Sequence, residues 1–307
     1  MGMAQNARAI AQVVPFVGRS STAGESVPNS PAGGEMSEPE GTTRLRPGGR
    51  GRKGMPVLFL HGWGVGPHSY SAPLAQLRSL GCDVMAPAQP GFGRAAALQG
   101  DECSFPGYGR WAASYLDTMD VDEPVTVVGH SFGGGVAIQL AHDHPERVAG
   151  VVLCNGVGGF PWAGPQGPDS VTERPWWEWG RILGADLLAG PTMVRVLPAL
   201  LGEAVPNLMS NPLAMWRVGE FVRRAHLLDE VTALRRRRLP ITVVWSDRDR
   251  LVPHVGFVAI CRAAGVHGEV VPGSHSWLIA DPRRFGDIVL RAMVDAGAVP
   301  LSMAAAG

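Results

Sequence analysis

Ser131 lies in VTVVGHSFGG (residues 125–134), between an apolar run of branched residues and VAIQLAH, which reads as a helix. A strand that becomes a helix within a few residues needs backbone angles that side chains resist. Gly129 and Gly133 flank the serine and leave room for such a turn. The residue at the apex is then held out of the sheet, with free N–H groups and a positive dipole end behind it. This is the geometry of a nucleophile elbow, and G-H-S-F-G fits G-x-S-x-G. A serine hydroxyl is a poor nucleophile at neutral pH. It needs a base within hydrogen-bond reach, and the base needs an orienting carboxylate.

Nine histidines are available as the base. His275, in VVPGSHSW, follows a short apolar run and precedes an Asp-Pro pair that opens a helical pattern. A loop at a strand end brings it to the same sheet edge as Ser131. WSDRDRLVP offers two acids, Asp247 and Asp249. Asp249 sits deeper in the loop and better fits the reach to a histidine. The alternative gives that part to Asp247, which otherwise caps the turn or pairs with an arginine. The end of the preceding strand carries Asn155 and no acid before Asp169. An oxyanion needs two fixed donors. The N–H of Phe132 is one, and HGWG (61–64) supplies the second, most simply the N–H of Trp63. His61 is read as a structural tie between loops, and His130 as a packing residue that points away from the apex.

These residues require a platform. MPVLFL, CDVMAP, VTVVGH, VAGVVLCN, ITVVWS and HGEVVPG read as strands. Helical patterns separate them: SYSAPLAQLRSLG, GRWAASYLDTM, FGGGVAIQLAHDH and VPHVGFVAICRAAG, with FGDIVLRAMVDAG closing the series. Such alternation predicts an α/β fold, a mostly parallel doubly wound sheet covered on both faces. Residues 55–155 and 241–307 form this core. The stretch 156–240 breaks the rhythm and is expected to be a helical lid inserted between two strands, above the strand C-termini where open α/β sheets bind ligands. Its tryptophans mostly fasten the lid to the body. Trp162, Trp176, Trp177 and Trp216 are the candidates to line a substrate pocket. Residues 1–54 are rich in Gly, Ser, Pro and charge and are expected to be a largely disordered or loosely attached extension.

Composition narrows the function. The chain has 307 residues, 45% hydrophobic and 18% charged, with 27 basic and 27 acidic side chains. The absence of a basic excess argues against general nucleic-acid binding. Cys82, Cys103, Cys154 and Cys261 show no C-x-x-C spacing, so neither a disulfide framework nor a zinc site is indicated. No apolar run approaches membrane-spanning length. The first residues do not read as a secretory signal, so a cytoplasmic protein acting on a small molecule is expected, without metal or organic cofactor.

HGWG, PGFGR (90–94), GHSFGG, WSDRDRLVP and GSHSW together resemble the α/β-hydrolase superfamily, in its lid-bearing branch, from Met55 to the end of the chain. The resemblance implies Ser131 as nucleophile, His275 as base, Asp249 as acid, and Trp63 and Phe132 as oxyanion donors. An ester is the default substrate. The same triad in relatives cleaves C–C bonds of diketones, lactones, thioesters and amides of N-terminal proline, and a small-molecule binding protein on the same fold is a non-enzymatic alternative. Relatives with an aspartate nucleophile are disfavoured by Ser131. Three departures stand out. Ala88 and Gln89 occupy the stretch where relatives often carry an aspartate, which bears on loop rigidity. Ser246 replaces a common glycine. The two strands that commonly begin the fold have no clear counterpart before Met55.

Overall fold

The computed structural model describes residues 54–159 and 193–298. Residues 1–53 of the expected extension and residues 160–192 of the expected lid, with Trp162, Trp176 and Trp177, lie outside them. Each predicted strand segment contains one observed strand: β1 (Met55–Leu60), β2 (Cys82–Met85), β3 (Val125–His130), β4 (Val148–Cys154), β5 (Ile241–Ser246) and β6 (Glu269–Val271). Among the described residues they form a six-stranded sheet in the order β2-β1-β3-β4-β5-β6, in which every pairing is parallel. Antiparallel strands can be joined by tight turns, whereas parallel ones need crossovers, and helices provide them here.

Side-chain alternation sorts the core into two layers. Leu58, Leu60, Val125, Val127, Val151, Leu153 and Val243 point to one face, where they meet α2 (Phe105–Thr118), α3 (Phe132–Asp143), α6 (Leu228–Arg236) and α7 (His254–Ala264). Val57, Phe59, Val84, Val128, Val152, Cys154 and Val244 point to the other, against α1 (Ser71–Ser79), α8 (Trp277–Ala280) and α9 (Pro282–Asp295). The period of two within each strand is what a sheet covered on both sides requires. Cys82 and Cys154 are buried in this second layer, and all four cysteines are free.

Local signals set the helix ends. Asp281 caps α9 by accepting from the Arg284 N–H (3.1 Å). Gly265 ends α7 in the left-handed region at φ 69°. Among the described residues between β4 and β5 are α4 (Met193–Ser210), α5 (Pro212–Val222) and α6. Of these, α6 buries Val231 and Leu234 in the first core layer and packs on α3 and α7.

The chain leaves β1 for β2 on one side, while β3 adds to β1 on the other. The C-terminal ends of β1 and β3 therefore flank a topological switch point, the position at which open α/β sheets open a crevice. HGWG follows β1, and Ser131 follows β3.

Candidate active site

Ser131 adopts φ 54° and ψ −117°, a conformation that side chains resist. Its neighbours hold it there. The Ser131 N–H donates to the Cys154 carbonyl (3.0 Å), and its carbonyl accepts from Gly134 (2.9 Å) and Val157 (3.1 Å). A Cβ at Gly129 would collide with the Gly133 backbone, and one at Gly133 with the Leu60 carbonyl. The two glycines are therefore required by close approach of main chain to main chain, at angles open to other residues. Phe132 is the first residue of α3, so its N–H has no acceptor within the helix. Its side chain is fully buried against Phe92, Phe105, Tyr108 and Phe221, with ring centroids 5.0–6.1 Å away.

His275 and Asp249 meet at the ends of β6 and β5. The His275 Nδ1 lies 2.8 Å from Asp249 Oδ2, and both side chains are buried. Asp249 Oδ1 accepts from the N–H groups of Leu251 (2.7 Å) and Val252 (2.9 Å), while Oδ2 also accepts from the Asn155 amide. Burial alone pushes the carboxyl up. The adjacent His275 ring, its hydrogen bond, and the donors from Asn155 and Val252 outweigh that and hold it below the usual carboxylate range. Asp247 faces elsewhere. It is half exposed, accepts from the Gly273 N–H (2.9 Å) and lies 3.6 Å from Arg248.

Asn155, at the end of β4, organises the acid. It takes φ 48°, donates from Nδ2 to Ser246 Oγ (2.7 Å) and to Asp249, and accepts from the Trp277 indole N–H (2.8 Å). Ser246 in turn donates to the Ser274 carbonyl (2.8 Å), next to His275. The serine that departs from the common glycine is thus a buried link between the two loops.

Two further histidines fasten the loops. The buried His61 accepts the Gln89 N–H at Nε2 (2.9 Å) and donates from Nδ1 to the Gly62 carbonyl (2.9 Å). Gln89 returns a bond from its amide to the His61 carbonyl (2.7 Å). The loop lacking the relatives' aspartate is fixed by this reciprocal pair and by Tyr108, whose hydroxyl donates to Pro90 (2.7 Å). Burial lowers the His61 pKa to about 4, so the ring is neutral. His130 is hydrogen-bonded at both ring nitrogens, to Tyr70 Oη (2.7 Å) and the His275 carbonyl (3.0 Å). It is therefore more than a packing residue, and its ring centroid stands 4.8 Å from that of His275. Burial, with the neighbouring His275, lowers its pKa to about 3.

The segment after β4 grips the HGWG loop. Trp63 donates from Nε1 to the Met215 carbonyl on α5 (2.9 Å). Glu203 on α4 accepts from the N–H groups of Gly66 (2.9 Å), His68 (3.2 Å) and Ser69 (2.7 Å), and from the Ser69 hydroxyl. One turn later Asn207 accepts from Gly93 (2.8 Å) and donates to the Gly64 carbonyl (3.1 Å). Trp216 is 60% exposed and lines a cavity of about 620 Å³ with Cys103, Arg217, Glu220, Phe221 and Arg224. Ser131, Asp249 and His275 are not among its walls. Among the described residues, no group of three or more His, Cys, Asp or Glu is placed to hold a metal ion, and no helix is long and apolar enough to cross a membrane.

Residues 57–288 match the Alpha/beta hydrolase family. A putative non-heme haloperoxidase of Mycobacterium phage D29 is 26% identical over 267 residues, covering 79% of this chain and 88% of its own. A pimeloyl-[acyl-carrier protein] methyl ester esterase of Aromatoleum aromaticum is 38% identical over 97 residues, 32% of this chain and 35% of its own. Among solved structures, the enol-lactonase from Burkholderia xenovorans LB400 superposes with a TM-score of 0.68 at 17% identity, covering 82% of this chain and 96% of that one. At that identity the likeness shows the fold.

Proposed function

The chain belongs to the alpha/beta hydrolase family, and on that premise we propose that it is a serine hydrolase acting on a carboxylic ester with a hydrophobic group. One observation supports the reading above the others. A serine held at φ 54° between two strand ends shares the sheet edge with a buried His–Asp pair at 2.8 Å. A structural serine has no need of that backbone strain, and a buried histidine has no need of a charged partner.

In this reading His275 takes the proton of Ser131 as its oxygen attacks the carbonyl carbon. Asp249 holds the Nδ1–H tautomer of His275 and stabilises the imidazolium that forms. The N–H groups of Phe132 and Trp63 receive the negative charge on the carbonyl oxygen, each worth about 3 kcal/mol in the transition state. His275 passes the proton to the leaving alkoxide, giving an acyl-Ser131 intermediate and free alcohol. The same ring then draws a proton from water, which attacks the acyl carbon and releases the acid. The aromatic group of Phe92, Phe105, Tyr108, Phe132 and Phe221 lies beside the Phe132 donor and supports an apolar substituent on the substrate. Helices α4 and α5 act as the lid, latched to the HGWG loop by Glu203, Asn207 and Trp63.

The test is hydrolysis of p-nitrophenyl esters of graded acyl length by the wild-type protein and Ser131→Ala. Turnover by the first and its loss in the second are expected. Equal rates in the two proteins would remove Ser131 from the reaction.

A further inference from the structure

Three segments must keep fixed spacing for the proposed chemistry: the HGWG loop with its donor, the elbow with Ser131, and the loop that carries His275. A single buried chain of hydrogen bonds crosses all three. The Gly62 N–H donates to Tyr70 Oη (3.0 Å), Tyr70 Oη lies 2.7 Å from His130 Nδ1, and His130 Nε2 lies 3.0 Å from the His275 carbonyl.

The proton positions follow from the acceptors. A backbone carbonyl can only accept, so His130 carries its proton on Nε2. Its Nδ1 is then bare and accepts a hydrogen bond from the Tyr70 hydroxyl, which leaves the Tyr70 oxygen to accept from Gly62. Every polar atom of the Tyr70 and His130 side chains is used, and the two residues are 1% and 3% exposed. The fit leaves no slack. A Cβ at Gly62 would lie 3.0 Å from Tyr70 Oη, 3.1 Å from His130 Nδ1 and 3.4 Å from Ser131 Cβ.

We propose that Tyr70 and His130 are positioning residues, a tie that sets the separation of the oxyanion donor loop from the His275 base across Ser131. The proposal rests on the hydrolase reading above. His275 is then fixed twice, its ring by Asp249 and its main chain by His130. Trp63, one residue beyond Gly62, is fixed through the same chain. Packing alone does not account for the arrangement. Leucine and phenylalanine would fill these sites without the cost of burying a hydroxyl and an imidazole that need partners. The low pKa of His130, about 3, keeps the ring neutral and the tie intact across the range in which a hydrolase base works.

The experiment compares Tyr70→Phe, His130→Leu and His130→Gln with wild type, reading steady-state p-nitrophenyl ester kinetics, the rate of phosphonate labelling, and the urea midpoint. A misplaced donor or base affects the transition state and not ground-state binding. Tyr70→Phe and His130→Leu are expected to lose about tenfold in kcat and in labelling rate, with KM within about twofold. His130→Gln, whose amide can still donate toward the His275 carbonyl, is expected to recover most of the loss seen with Leu. Because both residues belong to one tie, Tyr70→Phe with His130→Leu is expected to cost little more than the worse single change. Folded variants with wild-type kcat and labelling rate overturn the proposal, as does an increase confined to KM. Should the kinetic variants fail to fold, the side-chain 15N spectrum of wild-type His130 decides. A protonated Nε2 with a bare Nδ1 supports the tie, and the opposite tautomer overturns it. Wild-type protein that takes no label at all defeats the hydrolase reading itself, a result distinct from a variant labelled at wild-type speed.

Discussion

Replacing Asn155 probes how the candidate acid is held. Its amide supplies one of four donors to Asp249, the others being His275 Nδ1 and the N–H groups of Leu251 and Val252. Its oxygen is the acceptor for the buried Trp277 indole. Asn155→Ala deletes these two bonds, together with the one to Ser246 Oγ, at a buried position. A hydrogen bond to a charged group is worth about 1.5–3 kcal/mol, and an orphaned buried donor costs about 1–3 kcal/mol. The expected loss of stability is therefore about 2.5–6 kcal/mol, a large share of the margin of an ordinary domain. Asn155→Asp separates the two contributions. The new carboxylate keeps an acceptor for Trp277 but stands against Asp249, so one of the pair is forced to a raised pKa. A folded-state pKa above the unfolded value means that the folded protein binds the extra proton. Stability relative to wild type is then regained as pH falls below the raised pKa, and lost as pH rises through it. Urea unfolding of the three proteins at several pH values between 5 and 8 measures both effects. An Asn155→Ala loss below about 1 kcal/mol, or an Asn155→Asp deficit that does not change with pH, would refute this account of the acid's surroundings.

Two other perturbations follow from the same network. His61 and His130 stay neutral in the fold down to about pH 4 and about pH 3, whereas the unfolded chain protonates them near pH 6.5. The unfolded state thus binds more protons in that window, and stability that is full above pH ~6.5 falls on acidification by roughly 1.4 kcal/mol per pH unit for each ring. Urea midpoints between pH 7 and pH 5 should show the decline, with a shallower slope for His130→Gln, and a flat profile contradicts the burial of two neutral rings. Glu203→Ala strips the acceptor from the N–H groups of Gly66, His68 and Ser69. Amide hydrogen exchange at these positions should accelerate, and exchange at wild-type rates contradicts the latch between α4 and the HGWG loop.

The sheet was legible because each strand is built on a short apolar run, even where Asp83, Thr126, Thr242 and Glu269 break it, and because the crossovers other than the β4–β5 connection carry a clear helical period. VTVVGH needs two covered faces, and only a parallel sheet under helices provides them. The elbow was legible because the close approach of Gly129 and Gly133 to neighbouring main chain leaves so few residue choices. What one sequence could not display were contacts between residues far apart in it. His130 reads as packing because nothing near it reveals Tyr70, 60 residues earlier, or the His275 carbonyl, 145 residues later. Asn155 marked a strand end without an acid, but its partnership with Asp249 depends on how the β4 and β5 loops converge. Glu203 and Asn207 sit four apart on one helix face, a spacing that surface residues share, and only the fold brings the HGWG and PGFG loops against them. Helix starts were less legible than helix bodies. The second helix opens at Phe105, ahead of the apolar period at GRWAASYL, because Ser104 caps it from outside that pattern.

Mass spectrometry of the protein after reaction with an alkyl p-nitrophenyl phosphonate identifies the nucleophile itself. A single adduct is expected on the peptide containing Ser131, none in Ser131→Ala, and slower labelling in His275→Ala. An adduct on another residue, or Ser131→Ala labelled as fast as wild type, would contradict Ser131 as the nucleophile.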